Sequence, residues 1–231
     1  MTPLHVATFV HQDVALNMVS SLIIGSEAAS AYWTSVLGSS EIVQNATTPV
    51  PNNFTFFALH GDSNHPIQLI QPLAGDTVDE TLFWLPSSRT LIAGDTVYSS
   101  QVHLFMADML TPALTDSWIS TLDLLLGLNP EIVIPDHSLS NESFDRTGNL
   151  EYTREYLAFW QCEVESKGLD YYTPQELYTL LDKRFPRRLD ATSQFLRNVT
   201  AENFARGGTR LGHFLDFTAY NSTKELNGWE L

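Results

Sequence analysis

The stretch Thr90-Leu91-Ile92-Ala93-Gly94-Asp95 is a short apolar run that ends in a glycine and a carboxylate. A second stretch, Ile132-Val133-Ile134-Pro135-Asp136-His137, also places polar residues directly after an apolar run. Short apolar runs with β-branched residues and turn formers at their ends are typical of buried strands. We therefore predict two strands, each with a polar side chain at its carboxyl end.

The sequence around these two stretches predicts strands in its first half and helices in its second half. Predicted strands cover Val6–Val10, Asn17–Ile24, Phe54–Leu59, Ile67–Ile70, Thr81–Leu85, Thr90–Ala93 and Glu131–Ile134. Predicted helices cover Thr115–Leu126, Asn149–Lys167, a segment that starts at Thr173-Pro174-Gln175-Glu176, and Thr192–Ala205. This order predicts one α/β domain over residues 1–231, with sheets between helices and a helical part at 149–231.

Composition limits the classes of partner. The 231 residues carry a formal net charge of −15, which disfavours nucleic acids and anionic membranes because both attract clustered Lys and Arg. The sequence contains no run of about 18 apolar residues, so it predicts no membrane-spanning helix. The segment from Met1 to Asn17 lacks the basic start of a signal peptide, so we expect a cytoplasmic protein.

Three polar residues follow predicted strands or turns: Asp76, Asp95 and His137. Carboxylate oxygen and imidazole nitrogen suit zinc, iron or manganese. Each position alone is also typical of a turn former or a helix cap. The pattern therefore indicates a metal site without identifying a catalytic residue.

These motifs resemble the metallo-β-lactamase superfamily, in its hydrolase-like branch. Gly75–Thr81 is similar to the family's Gly-His motif, Ala93–Tyr98 to the motif whose aspartate bridges two metals, and Pro135–His137 to the last Gly-His motif. The resemblance runs from Asn17 to about Ser138, is strongest over residues 66–138, and includes Ser20–Gly25 as the opening strand.

The resemblance implies an αββα sandwich that hydrolyses an ester, thioester or lactone with a metal-bound hydroxide. Asp95 and His137, helped by Asp76, would bind zinc or another divalent metal. The resemblance also places His103 and Asp108 along the substrate cleft.

The chain departs from the family pattern at three places. The signature His-x-His-x-Asp-His is expected between Gly25 and Gly75, and no such string exists in this sequence. Asp76 stands where the family has His, and Asp136 stands where Gly is usual. We therefore predict a sandwich that is incomplete in its first β-α half, a degenerate active site, weak metal binding and impaired hydrolysis of a small-molecule substrate.

Two alternatives stay open at the level of sequence. The chain could be a non-catalytic remnant or binding protein on the same scaffold, including a shortened product of a longer gene. It could also work without metal, with His103 and Asp108 as acid-base groups. Loss of the neighbours of Val19, Leu22 and Ile24 would expose apolar surface, from which we expect homo-oligomers.

Overall fold

The computed structural model describes residues 9–11, 50–52, 54–77, 80–106, 111–140, 144, 146–188, 201 and 203–208. Strands β1 (Phe9–His11) and β2 (Val50–Asn52) pair in parallel as a separate two-stranded sheet. Within the described ranges, the larger sheet contains five strands in the order in which they occur along the chain. They are β3 (Phe56–Leu59), β4 (Asp62–Leu73), β5 (Glu80–Leu85), β6 (Thr90–Gly94) and β7 (Ile132–Pro135).

The five-stranded sheet is mixed in direction. Strands β3 to β6 pair antiparallel, and β7 pairs in parallel with β6. The β6–β7 register sets Leu91 opposite Val133 and Gly94 opposite Pro135. Because parallel strands end at the same edge of a sheet, the residues that follow β6 and β7 become neighbours.

In the part of the chain that the structure describes, three helices with defined bounds follow or connect these strands. Helix α1 (Pro112–Gly127) links β6 to β7, and helix α2 (Gly148–Glu163) continues into a 3-10 turn at Glu165–Lys167. Helix α3 (Pro174–Arg184) begins with a complete capping box between Thr173 and Glu176. In that box each residue satisfies a backbone N–H that the first helical turn leaves free.

The core lies between the sheet and the helices. Its fully buried side chains come from β5, β6 and β7, from the loop after β6, and from α1, α2 and α3; they include Leu82, Leu91, Val133, Trp118, Leu122, Tyr156 and Trp160. Burying one large aliphatic side chain contributes about 1.5–3 kcal/mol. This packing fixes the carboxyl ends of β6 and β7 against the helices.

The predicted α/β class is confirmed, and several boundaries differ from the prediction. Helix α1 begins three residues earlier than predicted, because Thr111 caps it and Pro112 occupies its first turn. The cap predicted at Thr115 is wrong: that side chain is buried inside the helix. Strand β4 is much longer than the predicted Ile67–Ile70.

Some predicted elements fall on residues that the structure does not describe. The strand predicted over 17–24 lies outside the described residues, as does most of the helix predicted over 192–205. The predicted incompleteness of the first β-α half therefore stays a prediction. Among the described residues, none of the helices combines the length and apolar character that crossing a bilayer requires.

Candidate metal centre

The ends of β6 and β7 meet at one edge of the sheet. Gly94 has φ +52°, a left-handed conformation that glycine adopts without steric cost, and it turns the chain into Asp95. The backbone N–H of Asp136 donates to the carbonyl of Gly94 over 3.2 Å. These backbone features bring Asp95, Asp136 and His137 together although about forty residues separate the two strands in sequence.

The three side chains form a compact cluster of possible metal ligands. Nε2 of His137 lies 3.0 Å from Oδ1 of Asp95 and 3.8 Å from Oδ2 of Asp136. One ligand atom from each residue lies within 4.8 Å of the other two. Because the side chains of Asp95 and His137 are 38% and 39% exposed, the cluster is open to solvent on one side.

The charges in the cluster shift two pKa values upward. The contact with Asp95 raises the pKa of His137, and the charge of Asp136 adds to that effect. Partial burial raises the pKa of Asp136, and the nearby negative charge of Asp95 raises it further. His137 and Asp136 therefore each hold a proton more firmly than the isolated group would.

A divalent cation fits this donor set. Oδ1 of Asp95 is buried, and the imidazole of His137, 3.0 Å away, is the positive or donor group beside it among the described residues. A buried carboxylate oxygen is stabilised by a positive group, which can be the imidazolium of His137 or a bound cation. Two carboxylates and one imidazole also match the ligand types that zinc and similar divalent metals use.

Asp76 lies deeper in the molecule than this cluster. Its exposed fraction is 6%, and its Oδ2 accepts a hydrogen bond of 2.9 Å from the hydroxyl of Tyr98. Burial raises the pKa of Asp76 well above its usual range, and the charge of Asp95 adds to the shift. The three-residue cluster found among the described residues does not include Asp76. Its predicted role as a ligand stays a prediction.

Tyr98 connects Asp76 to the cluster. Its ring stacks on the imidazole of His137, with 5.0 Å between the ring centroids and 16° between the planes. Its backbone N–H donates to Oγ1 of Thr153 in α2 over 3.0 Å. Trp118 of α1 donates from Nε1 to the carbonyl of Thr96 over 2.8 Å, so both helices hold the loop after β6.

His103, the predicted cleft residue, is buried with an exposed fraction of 2%. Its Nδ1 lies 2.9 Å from the hydroxyl of Tyr156, and its ring packs edge-on against Phe185. Burial, assisted by the positive charge of Arg188, lowers the pKa of His103 to about 3. Its proposed partner Asp108 lies outside the described residues. The cleft role of both residues stays a prediction.

Sequence reasoning does not identify two residues of this site. Asp136 departs from the glycine that the resemblance expects, and its position directly before His137 is the signal that it could join the cluster. Tyr98 gives no comparable signal, because its contacts with Asp76 and His137 join segments that lie far apart in sequence. The contact of Asp136 with Asp95 follows from the pairing of β6 with β7.

Comparison with known proteins identifies related folds. The family model described as the metallo-beta-lactamase superfamily matches residues 22–137, just over half of the chain. No curated protein matches the chain.

Solved structures of the same superfamily align with part of the chain. A metallo-beta-lactamase from Pontibacter korlensis is 21% identical, with a TM-score of 0.36, over 58% of this chain and 56% of that one. A metallo-beta-lactamase family protein from Thermus thermophilus is 18% identical, with a TM-score of 0.46, over 82% of this chain and 64% of that one. The DIM-1 metallo-beta-lactamase exposed to ceftazidime is 20% identical, with a TM-score of 0.32, over 54% and 52%. The chain thus spans between half and two thirds of the length of these relatives.

Proposed function

Because this chain belongs to the metallo-beta-lactamase superfamily, whose members typically depend on divalent metals, we propose that it is a hydrolase-type protein with one weak metal site. In this proposal Asp95, Asp136 and His137 hold a single divalent cation, with zinc as the first candidate. The substrate class is an ester, a thioester or a lactone, and hydrolysis is impaired. The observation that carries the proposal is the convergence of three ligand atoms within 4.8 Å.

The chemistry of the cluster supports a mononuclear site. When bound, a divalent cation acts as a Lewis acid and lowers the pKa of coordinated water to about 7. Three protein ligands are the usual number for a catalytic zinc, which keeps a further position open. The partial exposure of Asp95 and His137 leaves the cluster accessible from the solvent side.

The same cluster explains why binding should be weak. Metal ligands must be deprotonated, and the raised pKa values of His137 and Asp136 favour the protonated forms. A proton therefore competes with the cation for the same atoms. The sequence also lacks the His-x-His-x-Asp-His string that the resemblance associates with further ligands. We infer one site of modest affinity instead of a two-metal centre.

The metal proposal is tested by zinc titration of the purified protein, with free zinc measured by equilibrium dialysis. We expect one saturable zinc per chain in the wild type and loss of that binding in Asp95→Ala and His137→Ala. His65→Ala is the matched control, because this exposed imidazole also contacts a carboxylate, that of Asp62, at 2.5 Å on the β4 hairpin. Equal zinc binding in all four proteins would contradict the proposed ligands.

The impaired hydrolysis is tested separately. We expect zinc-dependent turnover of simple thioesters, esters and lactones to remain far below about 1 s⁻¹, the lower end for ordinary enzymes. Losing charge stabilisation in such a site typically costs a factor of about 10² or more. Turnover above that value, abolished by His137→Ala, would mean that the chain is a competent hydrolase. Absence of both turnover and zinc binding would favour the alternative of a non-catalytic scaffold.

A further inference from the structure

The ring of Tyr98 is held at both its hydroxyl and its backbone. The hydroxyl donates to Oδ2 of Asp76 over 2.9 Å, and the backbone N–H donates to Thr153 over 3.0 Å. Tyr98 is fully buried, and Asp76 is 6% exposed. A buried tyrosine fixed at two points has little freedom to change rotamer.

The fixed ring of Tyr98 packs against one side of the cluster of candidate metal ligands. It lies nearly parallel to the imidazole of His137 at a centroid distance of 5.0 Å. The next residue, Ser99, donates from its backbone N–H to the carbonyl of His137 over 3.0 Å. His137 is therefore held through its ring and its backbone by two consecutive residues of the loop after β6.

The loop that carries Asp76 is itself packed tightly against this loop. A Cβ at Gly75 would lie 3.0 Å from Cα of Thr96 and 2.8 Å from its Oγ1, so no larger residue fits without movement. The backbone N–H of Gly75 donates to the carbonyl of Thr77 over 2.8 Å. This close approach sets the position of Asp76 relative to Tyr98.

We propose that Asp76 is a positioning residue and not a metal ligand: its carboxyl anchors Tyr98, whose ring fixes the imidazole of His137. The inference rests on the proposed metal site. It assigns Asp76 a supporting role at that site in place of the role of a metal ligand. Residues that orient a metal ligand without touching the metal typically change metal affinity by a factor of about 10–100 when they are removed. The residue at position 76 would then act through Tyr98 and never touch the metal.

Two conservative variants separate an anchor from a ligand. In Asp76→Asn the amide oxygen can still accept the hydrogen bond from Tyr98, whereas an amide is a much poorer zinc ligand than a carboxylate. In Tyr98→Phe the ring remains, but its link to Asp76 is lost. If Asp76 is an anchor, we expect Asp76→Asn to retain the zinc Kd within about threefold and Tyr98→Phe to weaken it about tenfold. The reverse order would overturn the inference and make Asp76 a ligand.

A second measurement on the metal-free protein keeps this test independent of the proposed function. The carbon-bound protons of the His137 ring lie beside the face of Tyr98, so their NMR signals should be shifted by the tyrosine ring; His137→Gln assigns them. We expect these shifts to persist in Asp76→Asn and to collapse toward unstacked values in Asp76→Ala and Tyr98→Phe. Thermal unfolding of each variant verifies that the fold is retained.

The zinc affinity and the NMR shifts of His137 distinguish failure of the proposed metal site from failure of the proposed positioning role. If the wild type binds no zinc, the metal proposal fails, and the NMR shifts alone decide whether Asp76 and Tyr98 position His137. If Tyr98→Phe and Asp76→Ala leave the His137 signals unchanged, the positioning role is refuted whatever the zinc affinity.

Discussion

Asp136 occupies a position at which the resemblance expects glycine, and its carboxylate changes the electrostatics of the site. Together with Asp95 it surrounds Nε2 of His137, with oxygens at 3.8 Å and 3.0 Å. Both negative charges favour the imidazolium, and the contact with Asp95 has the larger effect on the pKa of His137. A proton and a metal cation therefore compete for the same ligand atoms.

This competition predicts the order of two substitutions. In the metal-free protein we expect the pKa of His137 to lie above its usual value of 6.5. Asp95→Asn should lower that pKa more than Asp136→Asn does, because it removes the closer charge and its contact. An NMR titration of the His137 ring gives all three values. A larger drop in Asp136→Asn would contradict the assigned geometry.

Buried His103 predicts a dependence of stability on pH. Its pKa is about 3 in the folded chain and about 6.5 when unfolded. Between those values the unfolded chain binds the extra proton, so this residue lowers the free energy of unfolding as pH falls from about 6.5 toward about 3. The full effect is about 5 kcal/mol, at about 1.4 kcal/mol for each pH unit.

Denaturant unfolding of wild type and His103→Gln from about pH 7 to about pH 4.5 tests this prediction. Other groups titrate in both proteins, so the quantity that matters is the difference between the two curves. We expect the wild type to lose more stability than the variant on acidification. Parallel curves would show that His103 takes up its proton in the folded state.

Part of the site was predictable from single residues, and part was not. Asp95 and His137 follow apolar runs whose strand character is a local property, so their positions at strand ends could be predicted before any contact was known. The contribution of Asp136 and Tyr98 depends on the β6–β7 register and on a ring stacked on His137. Such contacts between distant segments leave no periodic signal in the sequence.

Among the elements, those with complete local signals are predicted best. Helix α3 begins where Thr173 and Glu176 predict it, because the capping box is a property of four consecutive residues. The predicted start of helix α1 is too late, since Thr115 and Asp116 also have the character of caps. The true start combines a cap at Thr111 with a proline that suits the first turn.

Helix α2 stabilises the site because one of its hydroxyl groups accepts a hydrogen bond from the loop after β6. The backbone N–H of Tyr98 donates to Oγ1 of Thr153, and both residues are fully buried. Thr153→Val has nearly the same shape but leaves that N–H without its acceptor. Such a loss costs about 1–3 kcal/mol.

The prediction is tested by unfolding Thr153→Val and Thr153→Ser beside the wild type. We expect the valine variant to lose about 1–3 kcal/mol of unfolding free energy. The serine variant keeps the hydroxyl and should retain most of the stability. Equal losses in both would assign the effect to the missing methyl group and not to the hydrogen bond.

At the scale of the whole molecule, the outer end of the five-stranded sheet is apolar and exposed. Among the strands that the structure describes, β3 lies at the edge of the sheet, and its residues Phe56 and Leu59 are 60% and 59% exposed. Exposed apolar edges favour association between chains. The net charge of −15 opposes close approach at low salt and is screened at high salt.

We therefore expect self-association that increases with salt, measured by size-exclusion chromatography with light scattering. Phe56→Lys should reduce it, because a charged residue on an edge strand disfavours pairing. Thr179→Lys, which adds the same charge on the exposed face of α3, is the matched control. A monomer at every salt concentration in all three proteins would refute the expectation.

The metal site itself is tested most directly by zinc-edge anomalous diffraction from crystals grown or soaked with zinc. We expect a single anomalous peak per chain, about 2 Å from ligand atoms of Asp95, Asp136 and His137, with Asp76 still bonded to Tyr98. The absence of a peak in this cluster, or a peak coordinated by Asp76, would contradict the proposed centre.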